Sequence, residues 1–231
     1  MDVIILTGGK GTRLRSKIKD IPKTMADVNG KPFLERTLEW LSGFNVNNVI
    51  LAVGYKKEYI KEYFGNKYKK MNIIYSEENE PLGTGGAIKK ALIQSNEKNI
   101  IVMNGDVFAR VDLNKMLEQH IRLNSVMTIA IKEMIKFDRF GVVKFNGDKI
   151  TSFEEKKYVE KGFMNTGMYV VKKYIFENKI IQDSFSIEND YLNKYVAIDK
   201  ISPFIYEGQF VDIGIPEDYE KIKEIIKKYE K

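Results

Sequence analysis

Four short apolar runs alternate with segments of helical period across the first half of the chain, and no other feature of the sequence narrows the fold as much. "DVIIL" (Asp2–Leu6), "NNVILAV" (Asn47–Val53), "NIIYS" (Asn72–Ser76) and "NIIVMNGD" (Asn99–Asp106) read as strands, the last ending in a Gly-Asp turn. Between them lie "FLERTLEWL" (Phe33–Leu41), "EYIKEYF" (Glu58–Phe64, with Gly65 as a stop) and "TGGAIKKALIQS" (Thr84–Ser95). These carry apolar residues at helical spacing, with Leu34, Leu38 and Leu41 on one face. Strands that are apolar at successive positions cannot leave a face in water. The repetition therefore predicts a parallel sheet with helices on both sides.

The pattern changes after a helix expected at Leu113–Asn124. "VMTIAIKEM", "FGVVKFNGDKITSFEEK" and "FMNTGMYVV" are strand-like, and Asn146-Gly147 predicts a hairpin turn between Val142–Phe145 and Lys149–Phe153. "SPFIYEGQFVDIG" adds two short strands, and Pro216 opens a terminal helix with Tyr219, Ile222, Ile225 and Ile226 on one face. With 231 residues and no repeat or Pro/Ser-rich linker, the expectation is one α/β domain over 1–231. Its first half (1–112) is a doubly wound, Rossmann-like sheet. Its second half (113–231) is mixed and lays extra strands over the rim.

Composition excludes several classes. There is no cysteine, so neither disulfides nor thiolate metal sites can form, and a reducing cytoplasm fits. The first apolar run is too short for a signal-peptide core or a membrane span. The net charge of +6 comes from lysines spread among acidic residues, which argues for a solvated surface and against a nucleic-acid-binding stripe. The single histidine, His120, sits beside polar neighbours and reads as a surface residue of its helix; Trp40 reads as cover for the first helix, and the methionines as core filler.

The segment directly after the first strand, "LTGGKGTRLRSKIKDIPKTMADVNGKP", reaches no helix for about twenty residues. Gly8, Gly9 and Gly11 let the backbone fold close to an anion, and Arg13 and Lys23 add full positive charge. It lacks the third glycine of the dinucleotide fingerprint, and Lys10 is followed by Gly11 rather than by Ser or Thr, so it is not a P-loop either. Pro22, Pro32 and the interspersed Leu14, Ile21, Met25 and Val28 argue against a floppy arm.

"GGKGTRL…IPKTMADVNGKPFLE" resembles the N-terminal signature of the sugar-1-phosphate nucleotidyltransferases, enzymes of the nucleotide-diphospho-sugar transferase fold that make nucleotide sugars from a nucleoside triphosphate and a sugar 1-phosphate. "EPLGTGGAI", "MNGDV", "FGVV", "FEEK", "MNTGMY" and "FVDIG…EDY" follow in the family's order and extend the resemblance over nearly the whole chain. The wording "IKDIPK.M", "EPLGTGGAI" and "SFEEK" is most similar to the bacterial heptose 1-phosphate guanylyltransferase subgroup. That implies GTP and a heptose 1-phosphate as substrates, for surface polysaccharide synthesis. Cytidylyl, uridylyl or thymidylyl transfer to glucose, mannose or another sugar phosphate stays open, as does a homo-oligomer; nucleic acid and membrane are not implied. A non-catalytic sugar-nucleotide sensor on the same fold would be expected to lose a lysine, arginine or metal carboxylate that this chain keeps. Thr7, Arg15-Ser16, Thr24 and Asp27 depart from the usual signature and keep Arg13 and Lys23.

The resemblance also implies a site. Gly8, Gly9, Gly11 and Thr12 would wrap the triphosphate, with Arg13 and Lys23 neutralising it. Asp106 and Asp212 would hold Mg²⁺. Leu6, Gly8, Glu80, Pro81, Gly83 and Thr84 would receive the base, and Gly141, Glu155, Lys156 and Asn165 the sugar and its phosphate. The nucleophile in such a reaction is a phosphate with a second pKa of about 6. It is ionised at neutral pH and needs positioning and charge cancellation rather than a general base.

Overall fold

The computed structural model describes residues 1–9, 14, 20–179 and 181–229. Its first half follows the predicted alternation: β1 (Asp2–Leu6), a single 3-10 turn at Lys23–Met25, β2 (Asp27–Val28), β3 (Lys31–Pro32), α1 (Phe33–Leu41), β4 (Asn48–Val53), α2 (Lys57–Phe64), β5 (Lys67–Tyr68), β6 (Met71–Glu77), α3 (Gly83–Leu92) and β7 (Asn99–Asn104). The second half continues with β8 (Val107–Ala109), α4 (Leu113–Leu123), β9 (Met127–Phe137), β10 (Val142–Asn146), β11 (Lys149–Glu154) and β12 (Val159–Lys172). A π-helical segment, Ile187–Leu192, then runs into α5 (Asn193–Tyr195), followed by β13 (Ile201–Ile205), β14 (Phe210–Asp212) and α6 (Pro216–Tyr229).

β1 pairs in parallel with β4 on one side and β7 on the other, and β4 with β6. Its alternate residues serve opposite cores, as the pleat requires. Val3 and Ile5 join Leu34, Leu38, Leu41 and Ile60 from α1 and α2. Ile4 joins Ile88, Ala91 and Leu92 from α3, together with Ile187 and Tyr191 from the π-helical segment. Both faces of the sheet are therefore covered, and no helix among the described residues is long and apolar enough to cross a membrane.

The second half joins the same sheet through β12, which lies antiparallel to β7 over Met168–Lys172 and to β10 at Phe163 and Met164. Its pairing with β9 shifts register between Asn165 and Tyr169, a bulge at which β12 changes neighbours. The Asn146-Gly147 turn forms as expected, with Gly147 at φ +54°. α6 packs on the opening segment: Leu14, Ala26 and Val28 share a core with Ile222, Ile225 and Ile226, and Ile21 packs against it.

Two expectations need correction. α3 begins at Gly83 and ends at Leu92 rather than spanning Thr84–Ser95. His120 is not a surface residue: it is fully buried, with Nδ1 2.9 Å from Thr128 Oγ1. Its helix turns this position onto β9, where Thr128, itself bonded to Ser202 of β13, offers a polar partner that the local sequence does not reveal.

Candidate active site

Within the parallel part the strands stand in the order β7-β1-β4-β6, so the chain switches direction of progress between β1 and β7. In an open α/β sheet the crevice at the carboxyl ends of such a strand pair is where ligands bind. Leu6 ends β1 and Asn104 ends β7, and both line a cleft of about 810 Å³. Gly8, Gly9, Lys23, Gly54, Tyr55, Glu78, Glu80, Pro81, Gly83, Thr84 and Asp106 are among the other residues of its wall. A second cleft of about 460 Å³ shares Thr84, Asn104 and Asp106 with the first. Arg139, Gly141, Glu155, Lys156, Asn165, Glu188 and Asp212 line it. Every described residue that the resemblance singled out thus lies on one of two adjoining clefts. Gly11, Thr12 and Arg13 lie outside the described residues.

Charge is concentrated where the clefts meet. Lys23 Nζ donates to Asp106 Oδ2 at 2.5 Å and to Asp212 Oδ1 at 3.4 Å. The two aspartates come together because β8 and β14 pair antiparallel, with Asp212 opposite Val107, and because Ile213 N donates to Asp106 O at 3.0 Å. Asp212 Oδ1 also accepts from Gly214 N at 2.7 Å. Arg139 reaches in from the other side, donating to Asp218 Oδ2 at 2.6 Å with its second terminal nitrogen 3.8 Å from Asp212 Oδ2. Burial, reinforced by the neighbouring Asp106 charge, pushes the Asp212 carboxyl above its ordinary range. A carboxylate pair of this kind favours a nearby cation. Its oxygen-only donor set fits Mg²⁺, which takes one or two protein carboxylates and completes its shell with phosphate and water.

On the larger cleft, Glu80 is exposed at the rim while Glu78 is half-buried. Glu78 Oε2 accepts from Leu82 N at 3.1 Å, and burial raises its carboxyl. Its Oε1 lies so close to Gly8 that a Cβ there would come within 2.8 Å of it. Gly83 sits at φ +68° beneath the segment that leads into the π-helical turn; an added Cβ would come within 2.5 Å of Phe185 O. Gly85 and Gly86 both donate their N–H to that carbonyl, so the strap already satisfies part of the α3 N-terminus. The glycines of "EPLGTGGAI" therefore serve a chain crossing as well as a cleft wall.

On the smaller cleft the "EEKK" run divides. Glu154 pairs with Lys144 and Lys157, which hold its carboxyl down to about 2, whereas Glu155 and Lys156 line the cleft. Gly141 is closed over by Phe153, whose ring an added Cβ would meet at 2.3 Å. Asn165 is nearly buried at the β12 bulge, and its Nδ2 donates to Tyr169 OH at 2.8 Å. Sequence reasoning missed Glu78, Arg139 and Glu188. Glu78 and Arg139 adjoin quoted motifs, in "EENEPLG" and "DRFGVV". Glu188 has no such neighbour and becomes visible only where the π-helical segment folds against α3.

The sequence matches the nucleotidyl transferase family model over residues 2–229. It is 44% identical to D-glycero-α-D-manno-heptose 1-phosphate guanylyltransferase of Aneurinibacillus thermoaerophilus, covering 99% of this chain and 100% of that protein. It is 46% identical to the protein of the same name from Campylobacter jejuni, covering 95% and 97%. Among solved structures, HddC from Yersinia pseudotuberculosis complexed with GMP-PN superposes with a TM-score of 0.86 at 39% identity, covering 97% of this chain and 99% of that one.

Proposed function

The chain belongs to the nucleotidyl transferase family, and from that premise we propose that it transfers a guanylyl group from GTP to D-glycero-α-D-manno-heptose 1-phosphate, releasing pyrophosphate. The observation that carries this reading is the pair of adjoining clefts meeting at Asp106, with Lys23 and Asp212 beside it. The larger cleft is sized and walled for a nucleoside triphosphate, the smaller for a polyhydroxylated phosphate. The choices of guanine and heptose rest on the named relatives. Residues 1–112 and 113–231 act as one unit, and a GTP-consuming enzyme belongs in the cytoplasm.

The sugar phosphate is its own nucleophile, so the protein's task is to align it with the α-phosphorus and cancel charge. The Gly8–Gly9 backbone admits the phosphates close to β1, and Arg13 adds positive charge. Lys23, released from its carboxylates by substrate, turns its ammonium to the reacting phosphates. Glu155 and Asn165 hold sugar hydroxyls, and Lys156 the sugar phosphate. Asp106 and Asp212 would hold Mg²⁺, which when bound supplies neutralisation of phosphate oxygens. Glu78 and Glu80 offer carboxylates to the base. Guanine presents adjacent N–H donors on its Watson–Crick edge, and a carboxylate accepts two of them together.

A pyrophosphate-release assay of four nucleoside triphosphates against a panel of sugar 1-phosphates tests this. GTP with the heptose 1-phosphate should give the highest kcat/KM. A higher value for another base or another sugar overturns that part of the reading.

A further inference from the structure

A directed chain of hydrogen bonds runs through the wall between the two clefts. Asn165 Oδ1 accepts from Gly167 N at 2.9 Å, which fixes the orientation of its amide, and Nδ2 donates to Tyr169 OH at 2.8 Å. The tyrosine hydroxyl has one proton and donates it to Glu188 Oε1 at 3.3 Å. Glu188 Oε2 accepts from Thr84 Oγ1 at 3.0 Å, and that oxygen in turn accepts from Ile187 N at 2.9 Å. Every donor and acceptor role is determined. The chain meets the clefts at three residues: Asn165 and Glu188 on the smaller one, and Thr84, in the first turn of α3, on both.

Its middle is dry. Tyr169 is fully buried, and burial together with the Glu188 charge holds its hydroxyl well above its ordinary range, so it remains a donor. Hydrogen bonds in such surroundings polarise one another. The Asn165 amide retains one unused N–H for a ligand. A hydroxyl that takes it pins the amide, and the same amide orients Tyr169, Glu188 and Thr84.

We propose that Glu188 is a positioning residue that couples the two clefts, so that occupation of the smaller one sets Thr84 for the ligand of the larger. This rests on the assignment of nucleotide and sugar phosphate to those clefts. Linkage makes the effect reciprocal: each ligand tightens the other by the same factor.

The test is calorimetric titration of an α,β-imido analogue of GTP, with and without saturating heptose 1-phosphate, into the wild type, Tyr169→Phe and Glu188→Gln. In the wild type the sugar phosphate should tighten the analogue about fivefold or more. In both variants the factor should fall below about twofold. Tyr169→Phe keeps its ring in the core, so its affinity for the analogue alone should stay near the wild-type value. A merely structural hydroxyl would lower the melting temperature and leave the coupling factor intact. A wild type without coupling, or a Tyr169→Phe protein that keeps it, overturns the proposal. If an analogue of another base is the one that binds, the guanylyl reading falls and the same titration with that analogue still decides the coupling. A wild type that binds no nucleotide analogue overturns both.

Discussion

Lys23 owes its place to two carboxylates from different turns, and that geometry makes it a reserve of positive charge beside the site where phosphates would enter. Glu78 is its counterpart on the wall of the same cleft, a half-buried carboxylate with one oxygen tied to Leu82 N. Gln in its place keeps one acceptor oxygen and puts an NH2 donor where the proposed guanine contact needs the second acceptor. Glu78→Gln should lower kcat/KM for GTP about 10- to 100-fold, read in steady-state kinetics, and Glu80→Gln at the exposed rim should lower it less. Equal effects would place the base elsewhere. At this scale the sequence was informative where chemistry and motif coincide: Lys23, Asp106, Asp212, Asn165 and the Glu155-Lys156 pair all reach the clefts. It was silent on Glu188 and Arg139, whose roles depend on contacts between segments far apart in the chain.

Among the elements, the strap over α3 explains a motif that sequence alone assigns to a ligand. Gly83 needs its left-handed backbone, and the Phe185 carbonyl fills the space a side chain would take. Gly83→Ala should cost about 2 kcal/mol or more in urea unfolding; a loss below about 0.5 kcal/mol would show that the strap yields easily. The helix α4 carries a second test. Burial, aided by Lys172, pushes His120 down to about 4, against about 6.5 in an unfolded chain. Between those values the unfolded chain takes up a proton that the native state does not. Stability conferred by the neutral imidazole is therefore complete above pH 6.5 and falls as pH drops toward 4. From pH 7 to pH 4.5 the wild type should lose about 2–3 kcal/mol more than His120→Gln in matched urea melts. Equal losses would mean that the imidazole is accessible to protons in the fold. Strand and helix periods were legible because each element reports its own burial. The π-helical segment and the buried face of α4 were not, because their partners come from β9, β13 and α3.

For the whole molecule, one sheet carries both clefts. β1 and β7 end at the larger one, and β12, bonded to β7, places its bulge at the smaller. The doubly wound half and its added strands could be read from periodicity. The meeting of Asp106 with Asp212 could not, since only the β8–β14 pairing brings them together. The account stands or falls on chemistry at that meeting point. Its most direct test is single-turnover formation of GDP-heptose, with enzyme in excess over GTP, in the wild type and in Lys23→Ala. The account predicts rapid product formation by the wild type and a rate about 10²- to 10³-fold lower in the variant, with GTP still bound. A Lys23→Ala enzyme that turns over at the wild-type rate would contradict it.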